Sequence, residues 1–172
     1  MKIKIISGGQ TGADRAALDA AIELGMDYGG SIPKGRLAED GMLDLRYDRM
    51  TELKLYNYDA RTKKNVIDSD ATLIFTMGAI GDGTTYTMEV AQKYNRPFLH
   101  IDLLDETERE AVKIVKKWIK KIRPNILNVA GSRESTSRGI YKKVFKILKE
   151  VLMEVARIEP ATFSLRTRRS PN

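Results

Sequence analysis

Apolar residues in this chain follow two spacings in turn. Short runs that are continuous or alternate with polar residues, at 3–7, 28–32, 53–56, 71–75, 98–102 and 126–130, have the period of strands. The segments after most of them place apolar residues three and four apart, the period of helices. A helix is expected from the turn after the first strand to Gly25, with Ala17, Leu18, Ala21 and Ile22 on one stripe. Another spans 59–69, with Val66 and Ile67 inward, Arg61, Lys63 and Lys64 outward, and Asn57 or Asp59 as cap. Further helices fall at 84–94, with Met88 and Ala91 toward a sheet, and at 106–122, where Val112, Val115, Trp118, Ile119 and Ile122 share a face. The last, at 140–155, turns Val144, Ile147, Leu148, Val151, Leu152 and Val155 inward. Residues 42–50 read as mixed and partly helical. The run 71–75 is apolar throughout, the pattern of a central parallel strand buried on both faces. Strand and helix alternate, so the expected class is α/β with a mostly parallel central sheet.

The candidate chemistry gathers where strands end. The first strand runs into Gly8-Gly9-Gln10-Thr11-Gly12-Ala13-Asp14, which opens a helix. Glycines permit a tight turn and close approach of a ligand, and the first N–H groups of a helix lack internal partners. Gly8, Gly9, Gln10, Thr11 and Gly12 are therefore candidates for phosphate binding. The turn lacks the Lys-Ser or Lys-Thr pair of a Walker loop, and the competing reading is a structural corner with Thr11 or Asp14 capping the helix. A second strand-to-helix turn, at 77–85, offers Gly81, Gly83 and Thr84 as another anion cradle. If the two strands are parallel neighbours, both turns lie at one carboxyl edge with a crevice between them.

Two further loops follow strands. One carries Lys34, Gly35, Arg36, Glu39 and Asp40, and the other Arg133 and Ser135, so cations and hydroxyls would reach the same edge. Both compositions also suit plain solvated loops. Asp102 ends a strand, where it either caps the next helix or reads a ribose or pterin edge, a role open to Asp14 as well. His100, the only histidine, reads as structural.

Length and charge narrow the picture. The 172 residues suffice for one core and are too few for two ordinary domains, giving a single domain at 1–156 and a loosely ordered basic tail at 157–172. Of the net charge of +7, that tail holds +3, so the body at +4 suits a small phosphorylated ligand without requiring nucleic acid. The lysines of 113–121 lie at helical spacing opposite Trp118, as on a solvated face rather than an RNA or DNA surface. With no cysteine, disulfides, thiolate metal sites and a cysteine nucleophile are excluded. The opening residues lack a signal-peptide pattern and no run has membrane-spanning length, so a cytoplasmic protein with no metal site of its own is expected.

Three blocks taken together carry a resemblance: Ile6-Ser7-Gly8-Gly9-Gln10-Thr11-Gly12-Ala13-Asp14, then Pro33-Lys34-Gly35-Arg36 with Glu39-Asp40-Gly41, then Asn128-Val129-Ala130-Gly131 with Arg133-Glu134-Ser135. They resemble the putative molybdenum carrier family, a circularly permuted branch of the Rossmann-like SLOG nucleotide-binding superfamily, over residues 1–152. The resemblance implies a Rossmann-like three-layer sandwich, a phosphorylated nucleotide- or pterin-like ligand, with molybdenum cofactor or a nucleotide as the bound group, and a homo-oligomer. The second glycine turn is similar to that of the LOG-type phosphoribohydrolases, which release the base from cytokinin nucleotides. Only Gly81, Gly83 and Thr84 match, and Thr87 stands where those enzymes carry their glutamate. Glu89, two residues on, lies about 200° around the helix and does not substitute for it. The expectation is a carrier or binding protein. The alternatives are a nucleotide sensor and a nucleotide N-glycosidase using Glu39, Asp40 or Glu89.

Overall fold

The computed structural model describes residues 2–157, along which strands and helices alternate. The order is β1 (Lys4–Ile6), α1 (Ala13–Glu23), β2 (Tyr28–Ile32), β3 (Leu37–Ala38), β4 (Gly41–Met42), β5 (Met50–Glu52), α2 (Tyr58–Ile67), β6 (Ala71–Thr76), α3 (Asp82–Lys93), β7 (Phe98–Asp102), α4 (Glu108–Ile122), β8 (Ile126–Gly131) and α5 (Ile140–Arg157). β3 and β4 form a small antiparallel hairpin, and the other six strands make one parallel sheet in the order β5-β2-β1-β8-β6-β7. The α/β, Rossmann-like sandwich expected from the sequence is the fold.

The alternation of side chains along each strand divides two unequal layers. Ile3, Ile5, Leu73, Phe75, Leu127 and Val129 meet α1, α4 and α5 in a large continuous core. The opposite face of the same strands presents Ser31, Thr72 and Asn128, all buried, beneath α2 and α3. The apolar cluster on that side is small: Val66, Val90 and Ala91, with Tyr86 and Phe98 at its margin. Ile6 and Ile74 are buried on this face too, so it is mixed, with polar groups set among apolar ones.

Several local expectations change. The edge strand is Met50–Glu52 rather than 53–56, because after Ile32 the chain leaves β2 for a tight turn at 34–36, and beyond Leu53 the pairing reduces to the bond from the Lys34 amide to the Leu55 carbonyl. Leu55 and Tyr56 are exposed. No helix forms in 42–50, since the Arg36 guanidinium takes the carbonyls of Leu43, Asp44 and Tyr47 that helical bonding would have needed. Ile22 falls off the buried stripe of α1, and Met88 is half-buried while Val90 and Ala91 face inward. Asn57 caps α2 by accepting from the Asp59 and Ala60 amides. Arg61, expected outward, is buried. β1 and β6 are parallel but not neighbours, because β8 lies between them. The tail at 158–172 lies outside the described residues.

Candidate functional site

The carboxyl ends of β1, β8 and β6 place the two glycine turns and the loop after β8 along one edge, on either side of β8. At the first turn the protein supplies its own anion. Asp14, one residue into α1, is buried and accepts from the Gln10 amide at 3.3 Å. The Thr11 amide goes to the Gln10 side chain and the Ala13 amide to the Ser132 carbonyl. Each glycine here has a neighbour that forbids a side chain. A Cβ on Gly8 would lie 1.5 Å from Arg61 Nη1, one on Gly9 2.8 Å from Leu43 Cδ2, and one on Gly12 2.4 Å from the Ser132 carbonyl.

Arg61 comes from α2 and lays its guanidinium across Gly8, with Nη1 2.7 Å from Asp14 Oδ2. Burial pushes the Asp14 carboxyl up, while the Arg61 charge and the amides of Gln10 and Gly8 pull it back, and burial prevails. The remaining donors of Arg61 are not used in the same way. Its Nε is buried without a partner, and Nη2 makes no hydrogen bond to a described residue. Those two N–H groups form the side-on fork of the guanidinium, suited to a carboxylate or phosphate edge.

Arg61 is part of the wall of a cavity of about 250 Å³ lined by Gly8, Asp14 and Arg61, by Tyr58, Asp59, Thr62 and Asn65 of α2, by Gly83 and Thr87 of α3, by Asn128 and Ala130 of β8, and by Arg133. The second glycine turn faces it differently from the first. A Cβ on Gly81 or Gly83 would meet nothing within 4 Å, and neither glycine has a positive φ. Protein packing therefore does not require glycine there. The Thr84 and Thr85 amides bond back to the Gly81 carbonyl, whereas those of Asp82 and Gly83 have no acceptor among the described residues.

The other candidate residues divide into separate groups. Lys34 lies over the Tyr56 ring at 5.1 Å, Gly35 donates to Glu52, and Arg36 holds the loop after β4; none lines the cavity. Asp102 accepts from the Gly78 and Leu104 amides and so fixes two loops at the rim. Glu39 accepts from the hydroxyls of Thr11 and Ser135, and Asp40 pairs with Arg15. With Glu134 and Arg138, the residues Thr11, Glu39, Asp40 and Ser135 line a wider, open depression of about 600 Å³. Glu89 is exposed on α3 and lines neither space. Among the described residues no group of three or more His, Asp or Glu is placed to hold a metal ion.

Tyr58, Thr62 and Asn65 were not singled out by the sequence, Arg61 was placed outward, and Thr87 and Asn128 were named only through the resemblances. The signal was present in α2, whose positions 58, 61, 62, 65 and 66 have the spacing of a buried stripe yet are mostly polar. A helix that must lie on a sheet with a polar stripe inward encloses polar business.

The model of the circularly permutated YpsA SLOG family matches residues 5–152 of this chain. The chain belongs to that family. Among solved structures, the putative molybdenum carrier protein of Syntrophus aciditrophicus SB is similar at 43% identity, with a TM-score of 0.84, over 88% of this chain and 96% of that one. A second, (E)-4-hydroxy-3-methyl-but-2-enyl diphosphate reductase, aligns at 13% identity with a TM-score of 0.37, over 86% of this chain and 59% of that one, and carries no argument. No curated protein matches. For this SLOG family member no described helix is long and apolar enough to cross a membrane.

Proposed function

We propose that this protein binds a small phosphorylated molecule of nucleotide or pterin type in the cavity between α2 and α3, and that it carries this ligand, with molybdenum cofactor as the leading cargo, rather than cleaving it. The observation that carries the reading is the buried Arg61 in the wall of a cavity, with an Nε that no described group satisfies, opposite Gly83, where the protein leaves space no side chain fills. Asp14 and Gly8 hold the guanidinium, so its fork is oriented before an anion arrives. The unpaired amides at the start of α3 and the Arg133 charge would complete an oxyanion site. Carriage of molybdenum is taken from the similar putative molybdenum carrier protein of Syntrophus aciditrophicus SB, and the cofactor form of the cargo is our own proposal.

Binding is favoured over cleavage because the cavity-lining carboxylates are Asp14, committed to Arg61, and Asp59 at its margin, while Thr87 occupies the position of the hydrolase glutamate. Incubation with a panel of nucleoside monophosphates should release no free base; steady release would replace the carrier reading with an enzymatic one.

Native mass spectrometry with metal analysis on protein purified without added ligand tests the cargo directly. Bound phosphorylated mass is expected, with molybdenum in the loaded fraction. Arg61→Lys keeps the charge beside Asp14 and removes the planar fork. With each charge-assisted bond contributing about 1.5–3 kcal/mol, affinity for a phosphorylated probe should fall roughly tenfold to a hundredfold at little cost in folding. An unchanged affinity would move the oxyanion away from Arg61.

A further inference from the structure

Arg61 and Arg133 reach the same aromatic ring under different constraints. Tyr58, half-buried in the first turn of α2, has the Arg61 Cζ 5.7 Å and the Arg133 Cζ 5.4 Å from its ring centroid. Arg61 is fixed by Asp14 and Gly8. Arg133 is exposed, and among the described residues its guanidinium makes no hydrogen bond or ion pair, so the Tyr58 ring is what it rests on. A cation over an exposed ring contributes about twofold to fivefold to an equilibrium constant. A planar heterocycle stacked on an aromatic side chain contributes about fivefold to more than a hundredfold. A flat ring entering the cavity therefore takes the Tyr58 face from Arg133, and the displaced guanidinium, itself planar, covers the ring's outer side.

We propose that Tyr58 and Arg133 form a clamp for a planar nitrogen heterocycle, so that the ligand class is a phosphorylated heterocycle rather than a bare phosphorylated sugar. The clamp rests on the oxyanion reading of Arg61, which anchors one end of the ligand while Tyr58 receives the other. Both ends line one cavity, and Arg61 touches both. Arg133 is then a specificity residue whose plane, and not only its charge, is used. It sits close enough to Glu39 for its charge to lower that carboxyl's pKa, so the loop after β8 carries the clamp beside a carboxylate already bonded to Ser135.

Calorimetric titration of the full chain with inorganic phosphate, ribose 5-phosphate, adenosine 5′-monophosphate and guanosine 5′-monophosphate tests the clamp. At least one nucleotide should bind about tenfold or more tighter than ribose 5-phosphate. Tyr58→Leu and Arg133→Lys should each lower the ratio of nucleotide to ribose 5-phosphate affinity toward one, the ratio removing any change in the shared phosphate contact, and Tyr58→Trp should keep the preference. Equal binding of nucleotides and ribose 5-phosphate, or a preference untouched by Tyr58→Leu, overturns the clamp and leaves the oxyanion site standing. Failure of all four probes to bind overturns the oxyanion site itself.

Discussion

A methyl group added at Gly8 and one added at Gly83 would meet opposite surroundings. At Gly8 it would strike Arg61 Nη1 and drive the guanidinium from Asp14, while at Gly83 it would enter open space. Gly8→Ala should therefore cost about 3–5 kcal/mol, the penalty of breaking a buried pair, in chemical denaturation. Gly83→Ala should leave stability unchanged or raise it by up to about 1 kcal/mol, because helical alanine has less conformational freedom to lose, and should weaken ligand binding. A Gly83→Ala protein that binds like the native one would remove that glycine from the site. The first glycine turn was visible in the sequence as a glycine turn, but its partner was not. Arg61 lies 47 positions from Asp14, and only the helical spacing it shares with Tyr58, Thr62, Asn65 and Val66 distinguishes it from the solvated Lys63 and Lys64 beside it. Its burial follows from the polar groups of the sheet's mixed face, which depend on strand order.

At the level of elements, Glu39 joins three pieces of the molecule. Its carboxylate accepts from Thr11 in the first turn and from the Ser135 hydroxyl in the loop after β8, and it stands in the bend between β3 and β4. Burial alone would raise this carboxyl, but the bonds from Ser135 and Thr11 and the charge of Arg133 outweigh it and hold the group below its ordinary 4.5. A lowered folded value means that the contribution is complete above the unfolded value and lost as pH falls through the folded one. Urea midpoints followed from about pH 7 to about pH 3 should drop in the native protein in that window, and Glu39→Gln should flatten the drop. An identical profile in the variant would show that Glu39 does not couple the loops. The helices α4 and α5 were legible because strong apolar stripes set them. The edge strand was misplaced by three residues because Leu53 and Leu55 alternate as convincingly as Met50 and Glu52 pair. The choice lay with where β2 ends, at Ile32.

The whole molecule is lopsided in what holds its layers. α1, α4 and α5 share a core that includes Leu18, Val115, Leu148 and Val151, whereas α2 and α3 rest on Val66, Val90, Ala91 and buried polar groups. Amide exchange should be slowest in α1 and α5, markedly faster in α2 and α3, and slowed in α2 and α3 when ligand is bound. Uniform protection across all five helices would contradict this division. The parallel α/β architecture was readable from alternation alone. The position of β8 was not, since a final apolar strand fits an edge or a centre equally well by its residues. That position also governs how the chain comes together. β1 and β6 have no direct contact in the sheet, and the strand that bridges them is the last to be synthesised. Until residue 131 has emerged, the two halves of the sheet have no common seam, and the cavity between α2 and α3, lined from both halves, from β8 and from Arg133, is complete only after β8 has joined them.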